Sequence, residues 1–332
     1  MTMMMFRDAL RQALREEMQR DSRVFLLGED IGRYGGAYAV TKGLLEEFGP
    51  QRVIDTPMSE GTIVGAAVGA AMTGGRPVAE IMYVDFLAYA MDQLVNQAAK
   101  IHYMFGGQIH VPMVVRTQQG TGRGAGAQHS QSLEAWFVHI PGLKVVAPAT
   151  PEDAKGLLKS AIRDGNPVVF LEHKGLYAMK GEVPDHEYLI PIGRARVARP
   201  GRDITLISYS RTLYLALEAA DALAQSGIQA EVIDLRTLKP LDMETIIASV
   251  KHTRRAVVIH EASLTAGLGA EIASQLSEAL FGRLAAPVQR VAALDIPLPA
   301  NSHLEKLIVP DTARIVRAAQ ETLDYTVKET TA

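Results

Sequence analysis

Cysteine is absent from all 332 positions, and that one absence removes several chemistries together. A disulfide framework, a zinc ribbon, a thiolate nucleophile and a thiolate-held iron–sulfur cluster all need it. Long apolar runs are missing too. The stretch 63–72 is small and apolar but spans only about ten residues, against the roughly 20 a helix needs to cross a bilayer. Charge of one sign is equally scarce. The 34 basic and 37 acidic residues are interspersed for a formal net charge of −3, which leaves no footprint for nucleic acid or an anionic membrane. Neither is expected as a partner. Also missing are a G-x-S-x-G elbow, an H-E-x-x-H helix and a P-loop, which weakens the hydrolase, metalloprotease and nucleotidase readings. What remains is a soluble protein, placed by default in the cytoplasm, whose chemistry uses oxygen, nitrogen or a borrowed cofactor.

What is present is an alternation of short β-branched runs with longer amphipathic ones, the pattern of βαβ units around a parallel sheet. Strands are expected at 24–29, 76–82, 111–117, 143–148 and 167–172. Helices are expected at 5–20, 62–73, 86–103, 151–163, 213–225, 242–251, 267–280 and 312–323. The N-terminal methionines and arginines superficially resemble a targeting segment. The acids among them, and the helical spacing of Phe6, Leu10, Ala13, Leu14 and Met18, read instead as a helix of the mature chain. The stretch from 180 to 203 carries three prolines and many charges before a second α/β series begins with ITLISYS. The expected organisation is therefore an α/β domain over 1–185, a linker over 186–203 and a second α/β domain over 204–332.

Two stretches invite a chemical reading. TQQGTGRGAGAQHS, at 117–130, places four alternating glycines before His129. The spacing is not G-x-G-x-x-G, and no acid follows at the distance a dinucleotide site requires. A loop that crosses close to another backbone is the simpler reading. His129 then either caps the helix that starts near LEAWF or does acid–base work at the loop; the residues alone leave both open. In VIDTPMSEGTIVGAAVGAAMTGG, Glu60 stands at the mouth of a helix on which Gly61, Gly65, Ala66, Gly69 and Ala70 leave one face nearly bare. An acid in a first turn is favoured by the macrodipole, and Ser59 could cap the same turn. A face without side chains lets a second helix or a ligand come to backbone distance.

DTPMSEG with its Gly/Ala helix, DFLAYAMDQLVNQAAKIHYMFGG, GAQHSQSLEAWFVHIPGLKVVAPATPEDAKGLLKSAIRDGNPVVFLEHKGLY and EVIDLRTLKPLDMETI occur in this order. Together they closely resemble the β subunit of the decarboxylating component of 2-oxo acid dehydrogenase complexes, over about 5–323. The resemblance implies two doubly wound domains, a pyrimidine-type thiamin diphosphate-binding fold followed by a transketolase C-terminal-like domain. It also implies an α2β2 heterotetramer whose thiamin diphosphate is shared with the α subunit. Magnesium would sit on that α subunit, in keeping with the missing G-D-G motif. In such a protein Glu60 hydrogen-bonds N1′ of the cofactor's aminopyrimidine and favours the imino tautomer, Phe86 packs on that ring, and His129 assists acyl transfer to a lipoyl group. A potassium ion held by oxygens of Met113, Ala161, Asp164 and Asn166 is implied as well, and so is docking of the acyltransferase core on the C-terminal domain. YMFGG and EHKGLYAMKGEVP look closer to pyruvate and acetoin members than to branched-chain ones, which points to pyruvate first, acetoin second and branched-chain 2-oxo acids third. A non-catalytic scaffold subunit and a Rossmann-type oxidoreductase are the alternatives from other classes.

Overall fold

Leu26 and Leu27, Val78 and Ala79, Val114 and Val115, and Val168 and Val169 are adjacent pairs of buried residues whose members belong to opposite cores. That alternation is the period of two a strand requires, and because both faces are covered, the strands read as continuous apolar runs. In the computed structural model, which describes residues 1–326, the first half of the chain runs β1 (Thr2–Met5), α1 (Phe6–Arg20), β2 (Val24–Gly28), α2 (Leu44–Phe48), β3 (Val53–Asp55), α3 (Glu60–Met72), β4 (Arg76–Ile81), α4 (Ile101–Met104), β5 (Val114–Gln119), α5 (Glu134–His139), β6 (Lys144–Val146), α6 (Pro151–Arg163), β7 (Val168–His173) and β8 (Lys180–Val183). One face of its sheet is covered by α1 and α6, through Phe6, Leu10, Leu14, Leu157 and Leu158. On the other lies α3, through Ile63, Val64 and Val68.

The second half runs β9 (Arg196–Arg199), β10 (Ile204–Ser208), α7 (Thr212–Gln225), β11 (Ala230–Asp234), β12 (Thr237–Lys239), α8 (Met243–Thr253), β13 (Ala256–Ser263), α9 (Leu268–Ala279), β14 (Gln289–Ala293), α10 (Ser302–Ile308) and α11 (Thr312–Leu323). Its five-stranded sheet has the order β14-β13-β10-β11-β9, parallel except for β9. Residues 327–332, the end of the second domain as bounded from the sequence, lie outside the described residues.

Three features differ from the sequence expectation. The segment read as a linker over 186–203 carries β9, which pairs antiparallel with β11. Strand β12 leaves its own half and adds to the first sheet, antiparallel to β6, giving the order β12-β6-β7-β5-β4-β2-β3. The helix expected over 86–103 is broken into a 3₁₀ segment (Val84–Ala90), a π-helical segment (Asp92–Ala98) and α4. The π-helical register is visible in the Ala99 N–H, which donates to the Leu94 carbonyl five residues back at 3.0 Å. Amphipathic spacing does not distinguish these three windings, and π segments concentrate at functional sites.

Candidate active site

Strand order places the crevice. From β2 the chain moves outward to β3, then crosses back through α3 to β4 on the other side of β2. The order reverses between β2 and β4, and in doubly wound sheets ligands bind beyond the carboxyl ends of strands at such a point. Glu29 follows β2, Glu60 follows β3, Tyr83 to Phe86 follow β4, and the glycine loop with His129 follows β5. Asp55, at the end of β3, ties the neighbouring loop down by accepting the Gly32 and Arg33 N–H groups at 2.6 and 3.1 Å.

Glu60 is the first residue of α3. Ser59 does not cap the helix; its hydroxyl donates to Thr62 Oγ1 at 2.7 Å instead. No donor among the described residues reaches the Glu60 carboxylate. Its charge is felt by Glu29, whose carboxyl is pushed up by burial first and by Glu60 and Asp30 second. Gly61 keeps the helix start close to the 3₁₀ segment, since a Cβ there would stand 3.2 Å from the Tyr89 carbonyl.

Phe86 and His129 meet edge to face, with ring centroids 5.2 Å apart and planes at 89°. Tyr83 closes the group, 5.9 Å from Phe86 and 5.0 Å from His129. Aromatic pairs favour this geometry because a positive ring edge meets a negative face. Tyr83 has φ of 71°, and its N–H donates to Gln118 Oε1 at 3.1 Å. Asp85 accepts from the Gln131 N–H at 3.3 Å and its side-chain amide at 2.8 Å, while the Lys174 ammonium donates to the His129 carbonyl. Tyr83, Asp85, Gln131 and Lys174 went unread in the sequence. Only the positive φ of a bulky residue marks Tyr83, and φ is not visible in a string of letters.

The glycine loop is clamped by the second domain. Glu305 accepts the Gly122 and Gly124 N–H groups at 2.9 and 3.3 Å, and Glu261 accepts the Thr121 N–H at 2.6 Å. The expected close approach to another backbone is present: a Cβ at Gly124 would stand 2.9 Å from the Ser302 nitrogen. Glu261 also faces His173 Nε2 at 3.0 Å. Because His173 Nδ1 accepts the Gly175 N–H at 3.0 Å, Nε2 bears the proton and donates. These contacts hold Glu261 down at about 2 against its burial.

The residues fit a polar cofactor at the crevice. Asp85 Oδ2 and Ser130 Oγ, neighbours of Phe86 and His129 in the chain, are buried without a hydrogen-bond partner. Among the described residues no cluster of three or more His, Asp or Glu side chains could hold a metal ion. Of the oxygens implied for potassium, those of Met113, Ala161 and Asp164 already accept hydrogen bonds within the chain. The Met113 carbonyl takes the Val168 N–H at 3.0 Å and that of Ala161 takes the Asp164 N–H at 3.3 Å. The carbonyls of Ile162 and Asp164 accept from the Arg76 guanidinium at 2.8 and 3.1 Å. Lys144 pairs with the Asp164 carboxylate, which also accepts from Asn166. Two protein cations already serve that turn.

The bare face of α3 is turned outward. Ile63, Val64, Ala67 and Val68 are buried, whereas Ala66 and Gly69 are exposed. With Gln97, Ile101, Met104 and Phe105 that face borders a groove of about 420 Å³. Among the described residues no helix is long and apolar enough to cross a membrane.

The family model described as "Transketolase, pyrimidine binding domain" matches residues 2–180, and the one described as "Transketolase, C-terminal domain" matches 193–315. A solved structure titled "Split gene transketolase, inactive beta4 tetramer" superposes with a TM-score of 0.78 over 96% of this chain and 97% of that one; at 24% identity it shows the fold. Among curated proteins, the pyruvate dehydrogenase E1 component subunit beta-2, mitochondrial, of Oryza sativa subsp. japonica is 50% identical, with 96% of this chain and 85% of that protein covered. The pyruvate dehydrogenase E1 component subunit beta of Rickettsia felis is 49% identical, with 97% and 98% covered. The acetoin:2,6-dichlorophenolindophenol oxidoreductase subunit beta of Cupriavidus necator is 48% identical, with 95% and 96% covered. The chain belongs to the transketolase-like family of β subunits of the decarboxylating component of 2-oxo acid dehydrogenases, oxidoreductases that depend on thiamin diphosphate.

Proposed function

We propose that this chain is the β subunit of a pyruvate dehydrogenase decarboxylating component and contributes one wall of an active site completed by an α subunit in an α2β2 heterotetramer. The observation that carries this reading is that Glu60, whose carboxylate has no hydrogen-bond partner among the described residues, and the packed Phe86–His129 pair all follow the carboxyl ends of strands of one sheet, on either side of the point where the strand order reverses. Thiamin diphosphate, bound between the subunits with magnesium on the α side, supplies the thiazolium carbon and the electron sink for loss of carbon dioxide. Glu60 holds a proton against the cofactor's pyrimidine nitrogen, a hydrogen bond that strengthens as water is excluded. Phe86 offers that ring an apolar edge. His129 stands where it can give a proton during acyl transfer to a lipoyl group carried by the acyltransferase core, which docks on the C-terminal domain. The domain limits 1–185 and 204–332 and a cytoplasmic placement belong to the same proposal, beside a rice relative named mitochondrial.

Acetoin is the second reading, supported by the 48% identity to the Cupriavidus necator protein. Substrates that differ by a methylene or two are separated by only about 1–3 kcal/mol per group, so residues of the α subunit can decide between them. The test is to copurify the α partner and compare kcat/KM for pyruvate, acetoin and 2-oxoisovalerate. Pyruvate should lead. A lead for either other substrate reassigns the specificity, and no turnover of any of them with cofactor saturating rejects the enzyme reading.

A further inference from the structure

Beside the glycine loop lies a cavity of about 450 Å³, whose lining includes Arg7, Tyr34, Tyr38, Lys42, Arg123 and Lys174 and no acidic residue. Its size falls within the range of about 300–1,000 Å³ that small-molecule sites occupy. Lys174 is 3% exposed. Its ammonium carries three donors, yet its one hydrogen bond among the described residues goes to the His129 carbonyl, and no carboxylate stands within ion-pair distance. A buried cation without a counterion is costly. Burial accordingly lowers the Lys174 ammonium to about 8, although Asp85, Glu261 and Glu305 act on it from farther away and Arg123 repels it.

The other cations of the cavity are similarly free. Lys42 and Arg123 make no ion pair among the described residues, and Arg7 has only Asp8, at 3.9 Å. The Arg123 guanidinium lies over the Tyr38 ring, 4.9 Å from its centroid, an arrangement that orders the planar fork while leaving its N–H groups unengaged. Four cations around one hollow, three of them unpaired and one nearly buried, need an anion.

We propose that this cavity is a binding site for a small anion, a phosphate monoester or a carboxylate-bearing metabolite, held by Lys174, Arg123, Lys42 and Arg7. Its occupant touches the glycine loop through Gly122 and Arg123 and shares Lys174 with the His129 carbonyl, so the bound anion bears on the segment that carries His129. The site adjoins the Glu60–Phe86 crevice, since the Lys174 ammonium also lies over the Tyr83 ring, 5.1 Å from its centroid, but it does not depend on the catalytic role proposed there.

The test is isothermal titration of the assembled α–β complex, saturated with thiamin diphosphate and magnesium so that the cofactor site is closed to added anions. The probes are inorganic phosphate and succinate, titrated into the wild type and into a K42A/R123A double variant whose changes lie on exposed residues. Binding by the wild type and an affinity about tenfold or more weaker in the double variant are expected, the loss of two charged contacts. Heat from phosphate alone assigns the phosphate ester class, and heat from succinate alone the carboxylate class. No binding of either probe, or equal affinity in the double variant, overturns the proposal.

Discussion

At the scale of single residues, the proposed roles of Glu60 and His129 predict separable effects. Glu60→Gln keeps the shape of the helix start and removes the group that can share a proton, so assembly with the α subunit should persist while decarboxylation falls by roughly 100-fold. Steady-state turnover and size-exclusion chromatography of the same preparation check both halves, and near-normal turnover would remove Glu60 from the mechanism. His129→Gln should behave differently. Its ring packs on Phe86 and Tyr83 at the edge of the crevice. Transfer to a lipoyl acceptor should fall by roughly 100-fold, while turnover with an artificial electron acceptor changes little. Equal losses in the two assays would mean that His129 acts before the transfer step. The runs that hold Glu60 and His129 were legible as unusual because the composition of each departs from its surroundings. Lys174 and Glu261 were not, because their partners are remote: His173 and Glu261 are 88 positions apart. Nothing in EHKGLY announces that its lysine will be buried beneath a glycine loop.

Among elements, α3 carries information on both its faces. Its buried residues were legible as a helix, and the small residues on the other side as a place of close approach, but not the identity of what approaches. Gly69 gives a clean test, because a Cβ built there meets nothing within 4 Å in this chain. Replacing a helical glycine with leucine should stabilise the isolated subunit by up to about 1 kcal/mol through propensity alone. In the assembly the same side chain projects from the bare face, where overpacking costs about 1–3 kcal/mol or more. Gly69→Leu is therefore expected to raise the melting temperature of the isolated β chain and to reduce its association with α, measured by light scattering. Undiminished association would show that this face is not the contact surface. The broken helix over 84–104 teaches a complementary lesson. Its apolar spacing was readable, but the choice among 3₁₀, π and α winding is made by packing against α3 and the glycine loop, which a local pattern does not contain.

At the scale of the whole molecule, the alternation of strands and helices announced two α/β units, but not how tightly they are joined. Strand β12 crosses from the second unit into the first sheet, Arg236 reaches Asp153 at 2.8 Å, and Tyr209 donates to Glu134 at 2.5 Å. These are pairings between distant segments, invisible to periodicity. The His173–Glu261–Thr121 contact is the one closest to the candidate site, and linkage makes it measurable. Glu261 has an ordinary value of 4.5; burial pushes it up, but His173, the Arg211 guanidinium and the Thr121 N–H together hold it down at about 2 in the folded chain. A carboxyl lowered on folding adds stability that is fully present above its unfolded value and is lost as pH falls through the window down to its folded value, here from about 4.5 to about 2. Glu261→Gln removes the charge while its amide oxygen can still accept from both Thr121 N–H and His173 Nε2–H, which share Oε1 in the wild type, so at neutral pH the variant should be less stable by about 1–3 kcal/mol, the difference between charge-assisted and neutral hydrogen bonds. The difference between wild type and variant in the urea midpoint should then shrink on acidification through that window, because the wild type loses what the variant never had. A difference that stays constant from neutrality to about pH 3 would mean that the charge on Glu261 does not fasten the second domain to the loop that carries His129.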